Sequence, residues 1–304
     1  MTTHKPGKKS WYRQLRYFVE WCLLRIFCGV LNCLPVEEMR FFAGFFGVLG
    51  SVSLALWLRW RIASNIRFAL GRIAWSELQF LLNRIFANET ANFVELIRGT
   101  SLGRRYFVKH WRVVGKDYLD KALQKGRGVM LFSAHTGLFP FIGGLFGLAG
   151  YRFNFLVKLP NNPHLSAHFE RIASHMRMRF INYRPRREAA RRVIAALRAG
   201  EVVCIVADEP RPQDGIEIRF FGRPVMAPRG PAVLALRTGA PLLCAFACSC
   251  RRRHTVYIYP ADRVLSGRDE QSVRQLTQAT NDVFEAFLRE HPSDWSWLRN
   301  RWQT

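Results

Sequence analysis

The chain has 304 residues, which is long enough to bury a core and to form one large domain or one domain with an appendage. Its content of 49% hydrophobic and 13% aromatic residues excludes a disordered chain and is rich for a freely soluble enzyme. The formal charge of +24 predicts an anionic partner, and composition alone leaves nucleic acid, anionic lipid and acidic protein open.

Two apolar stretches, residues 17–35 and 41–58, follow a basic and polar N-terminal segment. They are too long for a secretory signal and lack a small-residue cleavage site, so we expect them to stay attached. The second stretch would form a helix about 27 Å long, which fits either a membrane span or an interfacial helix. A buried helix pair of a soluble protein is the alternative. We expect a membrane-anchoring helical region over 1–62 and an α/β domain over 63–304.

From Val113 onward, short apolar runs alternate with helical segments, a pattern typical of an α/β fold with a parallel sheet. Residues 129–133 predict a buried strand, and residues 137–150 a glycine-rich helix with a proline near its first turn. Residues 186–199 then predict a second helix and residues 202–207 a second strand. Each strand is followed at once by polar side chains.

Those polar side chains are His135 after the first strand, and Asp208 and Glu209 after the second. Because the carboxyl ends of parallel strands share one edge of a sheet, where ligands bind, we expect them to be neighbours. A histidine in this position suits a general base acting on a substrate hydroxyl, although a hydrogen-bonded core histidine is an equally good interpretation of that residue alone. A base needs an orienting carboxylate, and no Asp or Glu lies between Asp120 and Glu170.

Metal binding is not favoured by the seven cysteines, which include no CxxC pair and predict reduced thiols facing the cytoplasm. A zinc site can be imagined from four residues, but their spacing fits no standard ligand pattern. A buried strand face explains equally well why the cysteines among them alternate along the chain. The four residues are Cys244, Cys248, Cys250 and His254. His164 and His168 lie four residues apart on a predicted helix, but no nearby carboxylate completes a metal site convincingly, so a phosphate-facing or solvated helix is preferred. We expect no metal and no cofactor.

Four segments, in the same order along the chain, resemble the lipid A biosynthesis acyltransferases. GRGVMLFSAHTGLF resembles the segment in which a strand delivers the catalytic histidine of that family, and VVCIVADEP its second strand ending in aspartate. IRFFGRPVMAPRGPAVLALRTGAPLL resembles its FFGRP-type loop and following helix, and HPSDWSWLRNRW its C-terminal signature. The similarity spans residues 113–302.

The resemblance implies a glycerolipid acyltransferase-like fold, a mixed and largely parallel sheet flanked by helices. Members of this family are anchored at the cytoplasmic face of the bacterial inner membrane. They transfer a fatty acyl group, usually from acyl carrier protein, to a hydroxyl of a glycolipid. The expected partners are therefore acyl carrier protein and an anionic membrane lipid or glycolipid, both suited to the charge of +24. Nucleic acid is not an expected partner, because the sequence contains no recognisable nucleic-acid-binding motif. The sequence gives no indication of the oligomeric state.

The same resemblance implies that His135 removes the proton of the acceptor hydroxyl. Arg171 matches a family arginine beside the active site, where it would bind phosphate or support the oxyanion. Asp208 matches the later family aspartate, and Glu209 stands next to it. The residues expected to bind substrate are Thr136, Phe139, Lys158, Arg223 and Arg229. An acyl pocket is expected along Phe139, Phe141, Leu145 and Phe146.

One position departs from the family pattern. The family places an Asp or Glu five positions after the histidine, where this chain has Pro140, which cannot ionise. Three explanations stay open. Asp208 or Glu209 substitutes from the neighbouring strand, or the histidine works unaided and slowly, or the protein has lost catalysis and binds acyl lipid or carrier protein for a partner enzyme.

Overall fold

The structure is a computed structural model that describes residues 8–249, 253–261, 267–298 and 301–302. Helices precede the first strand and then alternate with strands. The helices are α1 (Lys8–Asn32), α2 (Val36–Ser53), α3 (Leu56–Leu70), α4 (Trp75–Ile97), α5 (Arg104–His110), α6 (Lys116–Leu123), α7 (Pro140–Leu148), α8 (Pro163–His175), α9 (Arg186–Arg198), α10 (Gly230–Thr238) and α11 (Glu270–Glu290). The strands are β1 (Trp111–Val114), β2 (Val129–Ser133), β3 (Phe153–Val157), β4 (Met178–Asn182), β5 (Val202–Val206), β6 (Ile216–Phe220), β7 (Arg223–Ala227), β8 (Leu242–Cys248) and β9 (His254–Pro260).

The main sheet has the strand order β1-β9-β8-β2-β5-β3-β4. Its pairs are parallel except for β8 and β9, so β1 and β9 run opposite to the other five strands. A separate antiparallel hairpin joins β6 to β7. The predicted fold, a largely parallel sheet flanked by helices, is confirmed.

Both faces of the sheet are covered, which explains why its central strands are apolar along their whole length. All five residues of β2 are buried, as are the first four of β5. One core cluster includes Phe132, Phe246 and Phe284, and the other includes Phe141 and Phe153. The four predicted elements correspond to β2, α7, α9 and β5, with bounds that differ by at most three residues.

The helix after β2 begins later than the sequence predicts. Residues 137–139 form a turn, and Pro140 is the first residue of α7. Proline is favoured there because its missing amide hydrogen would have no partner within the helix. The residue that replaces the family's expected acid is therefore a helix-starting residue.

The N-terminal helices are fixed to the α/β part through a buried ion pair. Arg40 of α2 forms a hydrogen-bonded salt bridge with Glu95 of α4, and both side chains are buried. His254 Nε2, at the start of β9, lies 3.2 Å from the other oxygen of Glu95. Helix α2 is thus joined by a buried ion pair to α4, and the same carboxylate contacts the start of β9.

Large apolar side chains remain exposed on α1, α2 and α3. Trp57 and Trp60 have exposed fractions of 66% and 75%. Others are Trp11, Phe18, Leu23, Ile26, Val30, Phe41, Phe45 and Phe46. Among the described residues, no single helix is long and apolar enough to cross a bilayer, whereas α2 and α3 together pass that test by length and composition but meet at 95°. The membrane anchor stays a prediction.

Candidate active site

His135 and Asp208 meet because β2 and β5 are hydrogen-bonded neighbours in register. Ser133 pairs with Val206, so each functional side chain comes two residues after a paired position. His135 Nδ1 lies 2.7 Å from Asp208 Oδ1, which is a hydrogen-bond distance. The structure thus brings the histidine into direct contact with a carboxylate from the adjacent strand.

The surroundings of Asp208 keep it ionised. Burial alone would raise the pKa of Asp208, but the hydrogen bond and charge of His135, the charge of Arg301 and the indole of Trp295 hold it below its ordinary value. Trp295 Nε1 donates to Asp208 Oδ2 over 2.9 Å. A carboxylate can only accept, so Nδ1 of His135 carries the shared proton and Nε2 is left as the proton acceptor.

Arg301 supplies a buried positive charge near this carboxylate. Its side chain is 1% exposed, and its guanidinium donates to Asn281 Oδ1 over 2.9 Å. The guanidinium carbon lies 4.2 Å from the ring centre of Phe220, a cation–π distance. Burial lowers the pKa of Arg301 to about 10, while Asp208 opposes that shift, so the guanidinium remains charged at neutral pH.

A tight turn holds the histidine in place. Gly137 has φ of +47°, and a Cβ at this position would lie 2.6 Å from the carbonyl oxygen of Ala247. Its amide donates to the carbonyl oxygen of Asp294 over 2.7 Å. Thr136 forms a β-bridge with Trp295 and is fully buried. The C-terminal segment therefore fixes both the turn and the carboxylate.

A cavity of about 600 Å³ opens beside His135. It lies between the ends of β3 and β5 and the helices α9 and α10. Its apolar lining includes Phe139, Phe155, Leu156, Val157, Val193, Ile205, Val206, Pro228, Pro231 and Leu234. Its polar lining includes Lys158, Tyr183, Arg186, Glu209, Arg211, Asp214 and Arg229. Such a mixture suits a molecule with an apolar chain and an anionic group.

Four of the predicted site residues line this cavity together with His135. They are Phe139, Lys158, Glu209 and Arg229. Thr136 is not among the lining residues, and its buried hydroxyl has no hydrogen-bond partner in the part of the chain that the structure describes. Phe141 and Phe146, predicted to line an acyl pocket, are instead buried in the core on the α7 side of the sheet.

Two predicted arginines, Arg171 and Arg223, are not among the residues that line the cavity. Arg171 is exposed on α8, and its guanidinium carbon is 5.3 Å from the ring centre of Trp21 on α1. Arg223 is the first residue of β7 in the separate hairpin, and its guanidinium carbon is 3.9 Å from the ring centre of Phe68 on α3. Neither residue follows a strand of the main sheet, so neither side chain is carried to the sheet edge that holds His135.

Sequence reasoning overlooked Glu89, which lies on α4 and interacts electrostatically with His135. Part of Glu89 is exposed to solvent, yet burial by the surrounding protein acts on its carboxyl group. That burial, with the negative charge of Asp294, raises the pKa of Glu89 to about 7, and His135 opposes the shift.

Glu89→Gln is therefore expected to stabilise the protein more at about pH 8 than at about pH 5. The folded pKa lies above the ordinary value of 4.5, so folding stability is lost as pH rises through about 7 and the carboxyl ionises. Glutamine removes that loss. Urea unfolding midpoints at the two pH values measure the difference, with Glu77→Gln on the same helix as the control. Equal effects of Glu89→Gln at both pH values would contradict the expectation.

The largely parallel sheet, and the histidine–carboxylate pair beside a partly apolar cavity, agree with what the resemblance to the acyltransferases implies. The chain belongs to the bacterial lipid A biosynthesis acyltransferase family, whose family model matches residues 5–304. The resemblance noted in the sequence is thereby confirmed.

Among curated proteins, the phosphatidylinositol mannoside acyltransferase of Mycobacterium tuberculosis is 31% identical over 209 residues, which cover 63% of this chain and 60% of the relative. The corresponding protein of Mycolicibacterium smegmatis is 26% identical over 205 residues, 62% of each chain. The chain thus spans about three fifths of the length of these relatives. The crystal structure of a 1-acyl-sn-glycerophosphate acyltransferase from Thermotoga maritima matches with a TM-score of 0.38 and 18% identity, covering 79% of this chain and 97% of that one.

Proposed function

We propose that this protein transfers a fatty acyl group from a thioester, with acyl carrier protein as the favoured donor, to a hydroxyl of a glycolipid or another lipid-linked acceptor. The observation that carries the proposal is the 2.7 Å contact between His135 Nδ1 and Asp208 Oδ1 at the wall of the cavity. No cofactor is required, because the thioester itself is the activated co-substrate.

The reaction follows from the orientation of the imidazole. Asp208 holds Nδ1–H, and Nε2 of His135 takes the proton of the acceptor hydroxyl as its oxygen attacks the thioester carbonyl. The negative charge of Asp208 stabilises the imidazolium that forms. The tetrahedral intermediate then collapses, the carbon–sulfur bond breaks, and the leaving thiolate takes the proton from the imidazolium. The products are the ester and the free thiol.

The carboxylate missing at Pro140 is, in this proposal, supplied by Asp208. It is 3% exposed, ionised and in contact with Nδ1, which are the properties that an orienting acid needs. Glu209 lines the cavity and remains the second candidate for that role. The first of the three explanations for Pro140 is therefore favoured.

The lining of the cavity supports the choice of substrates. Its apolar part suits a fatty acyl chain, and Lys158, Arg186, Arg211 and Arg229 suit phosphate groups. Both an acyl carrier protein and a phosphorylated glycolipid carry such groups. Relatives named for a phosphatidylinositol mannoside make a phosphorylated glycolipid the first acceptor to test.

The experiment incubates purified protein with acyl carrier protein thioesters and extracted bacterial lipids, and detects acylated lipid by mass spectrometry. We expect ready transfer by the unmodified protein and by His175→Ala, an exposed histidine of α8, and only slow residual transfer by His135→Ala. Absence of transfer by the unmodified protein with several acyl donors would favour the alternative raised by Pro140. That alternative is a noncatalytic membrane protein that binds acyl lipid or carrier protein.

We further propose that the protein works at the cytoplasmic face of the bacterial inner membrane, with the exposed apolar side chains of α1, α2 and α3 in contact with lipid. Trp57→Glu combined with Trp60→Glu is expected to reduce sedimentation with vesicles containing anionic lipid by about tenfold or more, because it places charge on an apolar surface. The control is Tyr118→Glu on α6, also exposed, which should sediment normally. Equal sedimentation of both variants would refute this surface as the contact.

A further inference from the structure

Three side chains of types that can ligate metals, from two distant chain segments, converge near the segment that supports the His135 turn. Cys248 ends β8, His291 follows α11, and Asp294 closes the short 3-10 helix Pro292–Asp294. Cys248 Sγ lies 3.1 Å from Asp294 Oδ2 and 3.8 Å from His291 Nδ1, and the three ligand atoms all lie within 4.8 Å of one another.

The spacing and chemistry of this group suit zinc. With zinc–ligand distances of about 2.0–2.3 Å, the ligand atoms of a tetrahedral site lie about 3.5 Å apart. The two distances from Cys248 Sγ, 3.1 and 3.8 Å, lie on either side of that value. A thiolate, an imidazole and a carboxylate together favour zinc over the harder cations, which prefer oxygen ligands alone.

The carboxylate is already oriented for one ligand bond. The amide of Ser249 donates to Asp294 Oδ1 over 2.6 Å, which leaves Oδ2 directed toward the thiol. Such a hydrogen bond to the non-ligating oxygen is the usual support of a metal-binding carboxylate. Asp294 is 3% exposed, whereas Cys248 and His291 are only partly buried, so an ion has access from solvent.

We propose that Cys248, His291 and Asp294 bind a zinc ion, with water in the fourth position. On binding, the Cys248 thiol loses its proton to solvent, and zinc replaces the hydrogen bond from that thiol to Asp294. This set differs from the cysteine-rich set considered in the sequence, with which it shares Cys248. His254 is instead paired with Glu95, Cys244 is fully buried, and Cys250 lies outside the described residues.

Zinc here would stabilise the supports of the active site. Asp294 accepts the amide hydrogen of Gly137, and the next residue, Trp295, holds Asp208. The ion would tie both to the end of β8. The inference does not depend on acyl transfer, because it concerns metal binding and the stability of the C-terminal segment.

The test titrates the reduced full-length protein with Co²⁺ and follows the thiolate-to-cobalt charge-transfer absorption. We expect one equivalent to bind in the unmodified protein and in Cys33→Ser, whose exposed thiol is the control, and the band to be lost in Cys248→Ser. Zn²⁺ should raise Tm in the first two proteins and leave Cys248→Ser unchanged.

His291→Ala provides a second variant in case Cys248→Ser folds poorly, because its side chain is only partly buried. We expect it to weaken Co²⁺ binding at least tenfold while circular dichroism shows a retained fold. The proposal is overturned if the unmodified protein gives no charge-transfer band, or if the band persists in Cys248→Ser.

Discussion

Asp208→Asn is expected to lower kcat for acyl transfer by about a thousand- to ten-thousand-fold. Asparagine cannot carry the negative charge that stabilises the imidazolium, and its amide can donate to Nδ1 and so hold the imidazole in the wrong tautomer. Initial rates with saturating acyl donor measure the effect. Circular dichroism and Tm show whether the variant remains folded, since Arg301 loses a nearby counter-charge.

Glu209→Gln is the matched comparison, since Glu209 follows Asp208 in the chain and lines the same cavity. We expect a loss in kcat of less than about tenfold, because the hydrogen bond to His135 Nδ1 at 2.7 Å comes from Asp208. A larger loss from Glu209→Gln than from Asp208→Asn would assign the orienting role to Glu209 instead.

Glu95→Ala is expected to lower the free energy of unfolding by about 3–5 kcal/mol. Glu95 is 0% exposed and bonds both Arg40 and His254, which are themselves buried. Burial alone would raise the pKa of Glu95, but Arg40 and His254 hold it below its ordinary value. The Glu95 carboxylate is therefore charged at neutral pH and forms an ion pair with Arg40. Alanine leaves the Arg40 guanidinium buried without its counter-charge.

Urea unfolding followed by tryptophan fluorescence measures this loss. Lys121→Ala is the control, because its pair with Asp117 is on the surface and should contribute less than about 1 kcal/mol. If Glu95→Ala lowers the free energy of unfolding no more than Lys121→Ala does, the buried ion pair does not stabilise the packing of α2 against the rest of the chain.

The sequence was sufficient for the central contact of the site because that contact follows from strand order. β2 and β5 are recognisable as short apolar runs, and His135 and Asp208 follow them at equal distances from paired residues. Parallel pairing then brings the two side chains to one edge. A proline near the first turn of α7 was likewise readable, because proline is tolerated there, although the helix begins three residues later than predicted.

Other parts of the site depend on contacts between distant segments and leave no local pattern. Trp295 and Arg301 were visible only as members of a C-terminal signature, and nothing in their spacing indicates that they surround Asp208. Glu89 lies on α4, far along the chain from both β2 and β5, and no pattern in the sequence indicates that it interacts with His135. Arg171 and Arg223 were placed by resemblance; the helix and the hairpin that carry them bring them to Trp21 and Phe68 and not to the cavity lining.

The most direct test of the central claim is a double-mutant cycle on His135 and Asp208, with acyl transfer rates for His135→Ala, Asp208→Asn and the double variant. If the two side chains act as one unit, the double variant should be no slower than His135→Ala alone, because the carboxylate acts only through the imidazole. Rate losses that multiply in the double variant would show that Asp208 acts separately from His135, and would contradict the proposed pair.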